Sequence, residues 1–204
     1  MTNKFISLFA ITLSLIILTA CGTSTRRIDA KSNEGLVTID NINFKDWQIA
    51  AEKGINSLLA SGVLNRADNR KTILMISTVR NSTSEHIDTR ILTDKIRYAL
   101  LRSGKAITTT AIGGNGADDI ASRQVRGLAE DDMFNQSTVK KAGTAIAPDM
   151  SLSGEIVQQQ ASSGRVRESY FFFHMALTDL ETGLAIWEEN VEISKQTKRP
   201  VFGW

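Results

Sequence analysis

The sequence offers one thiol, Cys21, and two imidazoles, His86 and His174. A catalytic or metal-binding pair would need these groups brought together with carboxylates. The histidines instead lie 88 positions apart, one in the polar stretch RNSTSEHIDT and the other inside the aromatic run SYFFFHMAL. The pattern reads both as structural side chains. The string GGNGADD has the glycines of a phosphate-cradling loop but neither the G-x-G-x-x-G spacing nor a Walker lysine, so it reads as a loop tip. Glu188 and Glu189 are neighbours, and on a strand they point to opposite faces, leaving Glu188, Asn190 and Glu192 as one solvated row. No serine stands in a G-x-S-x-G elbow. Arg123 and Arg126, with Lys140 and Lys141 further on, form a basic helix surface of the kind that meets solvent or an acidic partner. No seat for catalysis is visible, so the chain is not expected to be an enzyme, and no cofactor or metal is expected.

Cys21 is different because of what precedes it. After Lys4 come sixteen uncharged residues, 5–20, short of the roughly 20 that a bilayer helix needs. A basic start, an apolar centre and a small-residue cleavage site are the parts of an export signal. The site reads Leu18, Thr19, Ala20, Cys21, and this L-x-x-C spacing resembles the bacterial lipoprotein signal. The resemblance implies cleavage between Ala20 and Cys21, an S-diacylglycerol on Cys21 and an N-acyl chain such as palmitate on its new amino group. Several acyl chains anchor stably, since each buried CH₂ adds about 0.8 kcal/mol. Gly22 stands where an aspartate would, by the family's rule, retain the protein at the inner membrane. The expected location is therefore the outer membrane, on its periplasmic face.

Removal of residues 1–20 takes away Lys4 and no acid, so the formal charge falls from +2 to +1. A chain this close to neutral has no strong field for nucleic acid. With its lone cysteine lipidated there is neither disulfide nor thiolate cluster, and the fold rests on its core. Residues 21–43 read as the lipidated N-terminus and a polar tether. Its 22 residues after the cysteine reach at most roughly 75 Å and average about 25 Å as a flexible coil.

The elements follow from periodicity. Residues 44–61 place Trp47, Ala50 or Ala51, Gly54, Ile55, Leu58 and Leu59 on one helical stripe that Gly62 stops. TILMISTV, residues 72–79, reads as a buried strand. Asp88 or Thr89 caps a helix with Leu92, Ile96, Ala99 and Leu100 at helical spacing, Asp94, Lys95, Arg97 and Arg102 on the wet side, and Gly104 at its end. KAITTTA reads as a second strand. Asp118 or Asp119 starts a polar helix, and Ser137 caps another, TVKKAGTAIA, closed by Pro148. Three strand-like runs end the chain, separated by ASSG and by the turn Glu181, Thr182, Gly183. In the middle run Phe171, Phe173, Met175 and Leu177 share one face, Tyr170, Phe172, His174 and Ala176 the other, and both faces read as covered. The expected architecture is one α+β domain over residues 44–204, a mixed or antiparallel sheet with a C-terminal three-stranded meander flanked by helices. Trp187, Phe171, Phe173 and the Leu92, Ile96, Leu100 stripe read as core.

These pieces also resemble a family. ILMISTVRNSTSEHIDTRILTDKIRYALLRSGKAITT is similar to the strand, Asn-rich loop, amphipathic helix and second strand of the LpoB-type lipoproteins. TAIAPDMSLSGEI resembles that family's helix leading into a GADYVLSG type strand, and LTDLETGLAIWEENVEISK its closing hairpin, with the spacing of Thr182, Gly183 and Trp187 the most specific element. The resemblance covers roughly residues 44–197. It implies a monomeric outer-membrane lipoprotein that docks on a bifunctional penicillin-binding protein and activates it in peptidoglycan synthesis, with the chemistry left to the partner. Relatives carry a long Pro-rich linker, whereas this tether has no proline. CsgG-type lipoproteins of export complexes share the lipoprotein signal, the strand, the helix and the glycine-led strand, and are the alternative resemblance.

Overall fold

The first helix begins where Asn43 and Asp46 exchange hydrogen bonds. In the computed structural model, which describes residues 26, 29, 41–112, 119–140 and 143–199, Asn43 Oδ1 accepts from the Asp46 N–H and Asp46 Oδ2 accepts from the Asn43 N–H, a capping box. The signal segment, Cys21, nearly all of the tether, the glycines of GGNGADD and Lys141 lie outside the described residues. The chain divides into units Met1–Gly35 and Leu36–Trp204, and the fold below is that of the second.

Helix α1 (Phe44–Ser61) buries Ala50, Ala51, Gly54, Ile55 and Leu58. Trp47 and Leu59, expected on the same stripe, sit half-buried at its border. Strand β1 (Thr72–Ser82) runs three residues beyond the sequence expectation. Its ladder to the third strand slips between Ile76 and Val79, where β1 carries one extra residue. A one-residue slip exchanges the faces, so burial moves from Leu74 and Ile76 to Val79, and Arg80 and Ser82 emerge on the opposite side. The apolar pattern ends at the bulge, which is why the polar end of the strand reads as loop.

Helix α2 (Thr89–Ser103) is capped by Asp88 and buries Leu92, Ile96 and Leu100, with Ala99 half-buried. Of KAITTTA only β2 (Ala106–Thr108) joins the sheet. Asp119 caps α3 (Ile120–Gly127), which runs into a 3-10 turn at Leu128–Glu130. The helix expected over TVKKAGTAIA is absent from the described residues of that stretch. Asn135 Oδ1 instead accepts from the N–H and hydroxyl of Ser137, and the Gln136 amide donates to the carbonyls of Leu128, Asp131 and Phe134. These side-chain bonds compete with helix formation, and the segment has no apolar stripe to bury, Ile146 being 70% exposed.

The meander forms as expected, from β3 (Met150–Ser163), β4 (Val166–Asp179) and β5 (Ala185–Lys198), antiparallel throughout. The five-stranded sheet has the order β2-β1-β3-β4-β5, with β1 parallel to both neighbours. This is the α+β mixed sheet anticipated from the sequence. At the last turn Asp179 Oδ1 accepts from the N–H groups of Glu181 and Thr182 and from the Thr182 hydroxyl, and Gly183 takes φ 74°, a region only glycine enters freely.

One core lies between this sheet and the two long helices, uniting Ile55 and Leu58 of α1, Leu92, Ile96 and Leu100 of α2, and Ile156, Phe173, Met175 and Leu177 of the meander. Phe171 and Phe173 are buried and Trp187 is half-buried against the core. The expectation that both faces of β4 are covered is corrected. Ser169, Phe171, Phe173, Met175 and Leu177 are buried, whereas Tyr170, Phe172, His174 and Ala176 are half-exposed. Both long helices pack on one face, and among the described residues no helix covers the other.

Candidate docking surface

The motif residues hold the chain together. In the polar loop after β1, the Asn81 amide donates to the Glu85 carbonyl at 2.7 Å and Asn81 Oδ1 accepts from the Thr83 N–H and hydroxyl. The Glu85 carboxylate then accepts from the Ile42 N–H ahead of α1 and from the Gln158 amide of β3. Asp149, at the start of β3, accepts from the Ile73 N–H at 2.8 Å and from Arg70 at 2.9 Å, with Arg66 at 3.4 Å. Gly154, across the bulge from Val79, leaves a gap that a Cβ would close to 3.2 Å from the His174 carbonyl.

The sequence candidates scatter. His86 lies in the loop before α2, beside Ile42, Phe44 and Trp47. His174 stands on β4, in register with Glu155 and Asn190. Arg126 and Lys140 do come together, lining a hollow of about 390 Å³ with Asp119, Ser122 and Thr144. Among the described residues no cluster of three or more His, Cys, Asp or Glu is placed to hold a metal. Glu188 is exposed and Glu189 half-buried, on opposite faces as alternation requires.

Two broad surfaces remain. On the uncovered sheet face, Tyr170, Phe172 and His174 form a ladder along β4, flanked by Gln159, Val157 and Glu155 on β3 and by Ser194, Glu192 and Asn190 on β5. Glu155 accepts from Arg80 and Ser82, both at 2.6 Å. Arg80, followed by the serine hydroxyl, holds its carboxyl below the usual range. Glu168 accepts from the Tyr170 hydroxyl at 2.5 Å and from Gln196 at 2.6 Å. That bond lowers the Glu168 carboxyl and raises the Tyr170 phenol.

On the helix side, Lys95 Nζ sits 4.2 Å from the Phe44 ring centroid and the Arg102 guanidinium 5.3 Å from that of Tyr98. Phe44, Ile91, Tyr98 and Leu101 are exposed there, Tyr98 by 62%. The signal for this strip was present in the sequence, since Tyr98 is an aromatic on the wet face of an amphipathic helix between Lys95 and Arg102.

Both surfaces combine charged groups with aromatic rings, exposed on the helix side and half-exposed on the sheet, as recognition surfaces do. A family model described as peptidoglycan-synthase activator LpoB matches residues 46–193. The chain belongs to this family. The LpoB match runs from the capping-box aspartate of α1 to Ile193 near the end of β5, so it takes in both helix layer and sheet. Among solved structures, the LpoB C-terminal domain from Escherichia coli is similar at 16% identity and TM-score 0.41, covering 72% of this chain and 98% of that one. The LpoB C-terminal domain from Salmonella enterica gives the same values. The NMR structure of E. coli LpoB is similar at 15% identity and TM-score 0.36, covering 87% of this chain and 83% of that one. Among curated proteins none matches this chain in sequence. The stretches that resemble LpoB contain Asn81, Asp149, Gly154, Asp179 and Gly183, and each of these residues fixes a turn, a ladder end or a close approach. Among the described residues no helix is long and apolar enough to cross a membrane.

Proposed function

We propose that this protein is an outer-membrane lipoprotein, anchored through diacylglycerol and acyl chains on Cys21 after cleavage behind Ala20, that binds a bifunctional penicillin-binding protein and activates its synthesis of peptidoglycan. The observation that carries the reading is the activator-family match across residues 46–193, which includes every element of the described fold from α1 to β5 apart from short margins. The protein acts without chemistry of its own. Its differential affinity for the active form of the synthase shifts that equilibrium, and the shift is limited by that difference in affinity.

The test uses the full-length lipidated protein in detergent with purified bifunctional synthases of the same organism, followed by a lipid II polymerisation assay. Saturable binding with faster polymerisation is the expected result. Failure to bind any such synthase would overturn the assignment. For the anchor, Cys21→Ala is expected to leave the precursor uncleaved and without lipid label, and normal processing of that variant would refute lipidation there.

A further inference from the structure

Strand β5 is the long edge of the sheet. It spans 14 residues, and among the described residues only β4 pairs with it. The Arg199 N–H donates to the Arg165 carbonyl on the β4 side. Backbone groups alternate sides along an antiparallel strand, so the N–H and C=O groups of the even residues 188–198 point outward. In keeping with this, the Asn190 N–H donates to Glu189 Oε1 of its own strand at 3.1 Å. Long edge strands are commonly blunted by proline, a bulge or an inward charge. From Trp187 to Lys198 the ladder to β4 runs without a bulge or a proline, and the inward cation, Lys195, is taken up by Asp46 and the Asn41 carbonyl on the helix side.

The remaining charges are sorted along this strand. Glu188, Glu189 and Glu192 stand opposite Ala176, Met175 and Phe172 of β4, and among the described residues none of the three carboxylates is in an ion pair. Lys198 and Arg199 stand at the other end, where Glu168 of β4 is already held by Tyr170 and Gln196. Antiparallel pairing of two such strands lays the acidic part of each along the basic end of the other. Residues that face each other share one side of the joined sheet, so a two-fold axis must pass beside a single residue of β5. At Ile193 it sets Glu188 against Lys198, Asn190 against Gln196 and Glu192 against Ser194 of the other copy, an acceptor meeting a donor each time. At Glu192 it would oppose that carboxylate to its own copy, and at Ser194 it would leave Glu188 opposite Pro200.

We infer that two copies of this chain join edge to edge through β5, antiparallel about a two-fold axis at Ile193, so that their sheets become one continuous sheet. The contact is isologous and closes on itself. Its hydrogen bonds come from the outward backbone groups and its register from the charged side chains, as in other strand additions. The two Ile193 side chains, half-buried against the core, meet on the helix side. The pairing leaves the Tyr170, Phe172 and His174 ladder of each copy open, and it does not depend on the activator role.

The test uses the full-length protein in density-matched detergent micelles, with mass read by sedimentation equilibrium over a range of protein-to-micelle ratios. A monomer–dimer equilibrium is expected. Glu188→Lys and Lys198→Glu should each weaken it several-fold, because each reversal places like charges together at both symmetric contacts, and the double variant should recover it. Ser194→Pro removes an outward N–H at an edge where a fold tolerates proline, and should abolish the dimer while the circular dichroism stays unchanged. Oxidation of a mixture of Glu192→Cys and Ser194→Cys proteins should link one to the other, as located by peptide mass, more than it links either to itself. A monomer at every ratio, single reversals without effect, or no recovery in the double variant would overturn the inference. A monomer whose Ser194→Pro variant no longer binds a purified synthase would assign the edge to that partner and also overturn it.

Discussion

Asp149 shows how much a single carboxylate does in this domain. Its oxygens take the Ile73 N–H, Arg70 and Arg66, while its backbone bonds Ile73 and Leu180, so one residue aligns the start of β1 with β3 and the end of β4. Asp149→Ala is expected to cost about 2–3 kcal/mol in urea unfolding, because a partly buried N–H and two cations lose their acceptor; a cost within measurement error would contradict this role. Asp88 tests electrostatics at the same scale. Its carboxylate accepts from the Arg90 N–H at 3.0 Å and from the guanidinium at 2.9 and 2.8 Å. These bonds, the side-chain pair first, lower its pKa to about 2. A depressed carboxyl stabilises the fold above its unfolded value and loses that contribution as pH falls through the folded one. The thermal midpoint should therefore drop between about pH 4 and pH 2, and Asp88→Asn, which keeps a cap, should show a shallower drop there.

At the scale of elements, the contact of α1 with β4 depends on an absence. A Cβ built on Gly54 would stand 1.6 Å from Met175 Cε, so the methionine tip occupies the notch in the helix. Gly54→Leu is expected to destabilise by about 2–3 kcal/mol through overpacking, and adding Met175→Ala should recover part of that loss. Additive losses in the double variant would show that the two sites do not share this space. The helices themselves were legible in the sequence, since the caps Asn43 and Asp88, the stops Gly62 and Gly104 and the apolar spacing all agree locally. The extension of β1 was not, because its bulge breaks the alternation that marks a strand. The helix over TVKKAGTAIA was wrongly anticipated because a capping serine says nothing about whether a buried partner exists for the segment that follows.

For the whole molecule, closure depends on Lys195 of β5, 7% exposed in its side chain, which bonds Asp46 at 2.5 Å and the Asn41 carbonyl at 2.7 Å. This ties the last strand to the entry of the first helix. Lys195→Met is expected to cost about 3 kcal/mol in chemical denaturation because Asp46 is left buried with its main cation gone, and adding Asp46→Asn should return part of that; no recovery would argue that Lys195 acts through packing alone. The sequence by itself determined the α+β class, the three-stranded meander, the resemblance to LpoB-type lipoproteins and the expectation of lipid on Cys21. These are written in local spacing: period, caps, turns and a cleavage signal. Only the tertiary structure decided that β1 lies between β2 and β3 and that one face of β4 stays half-open. Those facts depend on which elements meet across long sequence separations, and pairing of that kind is fixed by the shared core rather than by any one segment.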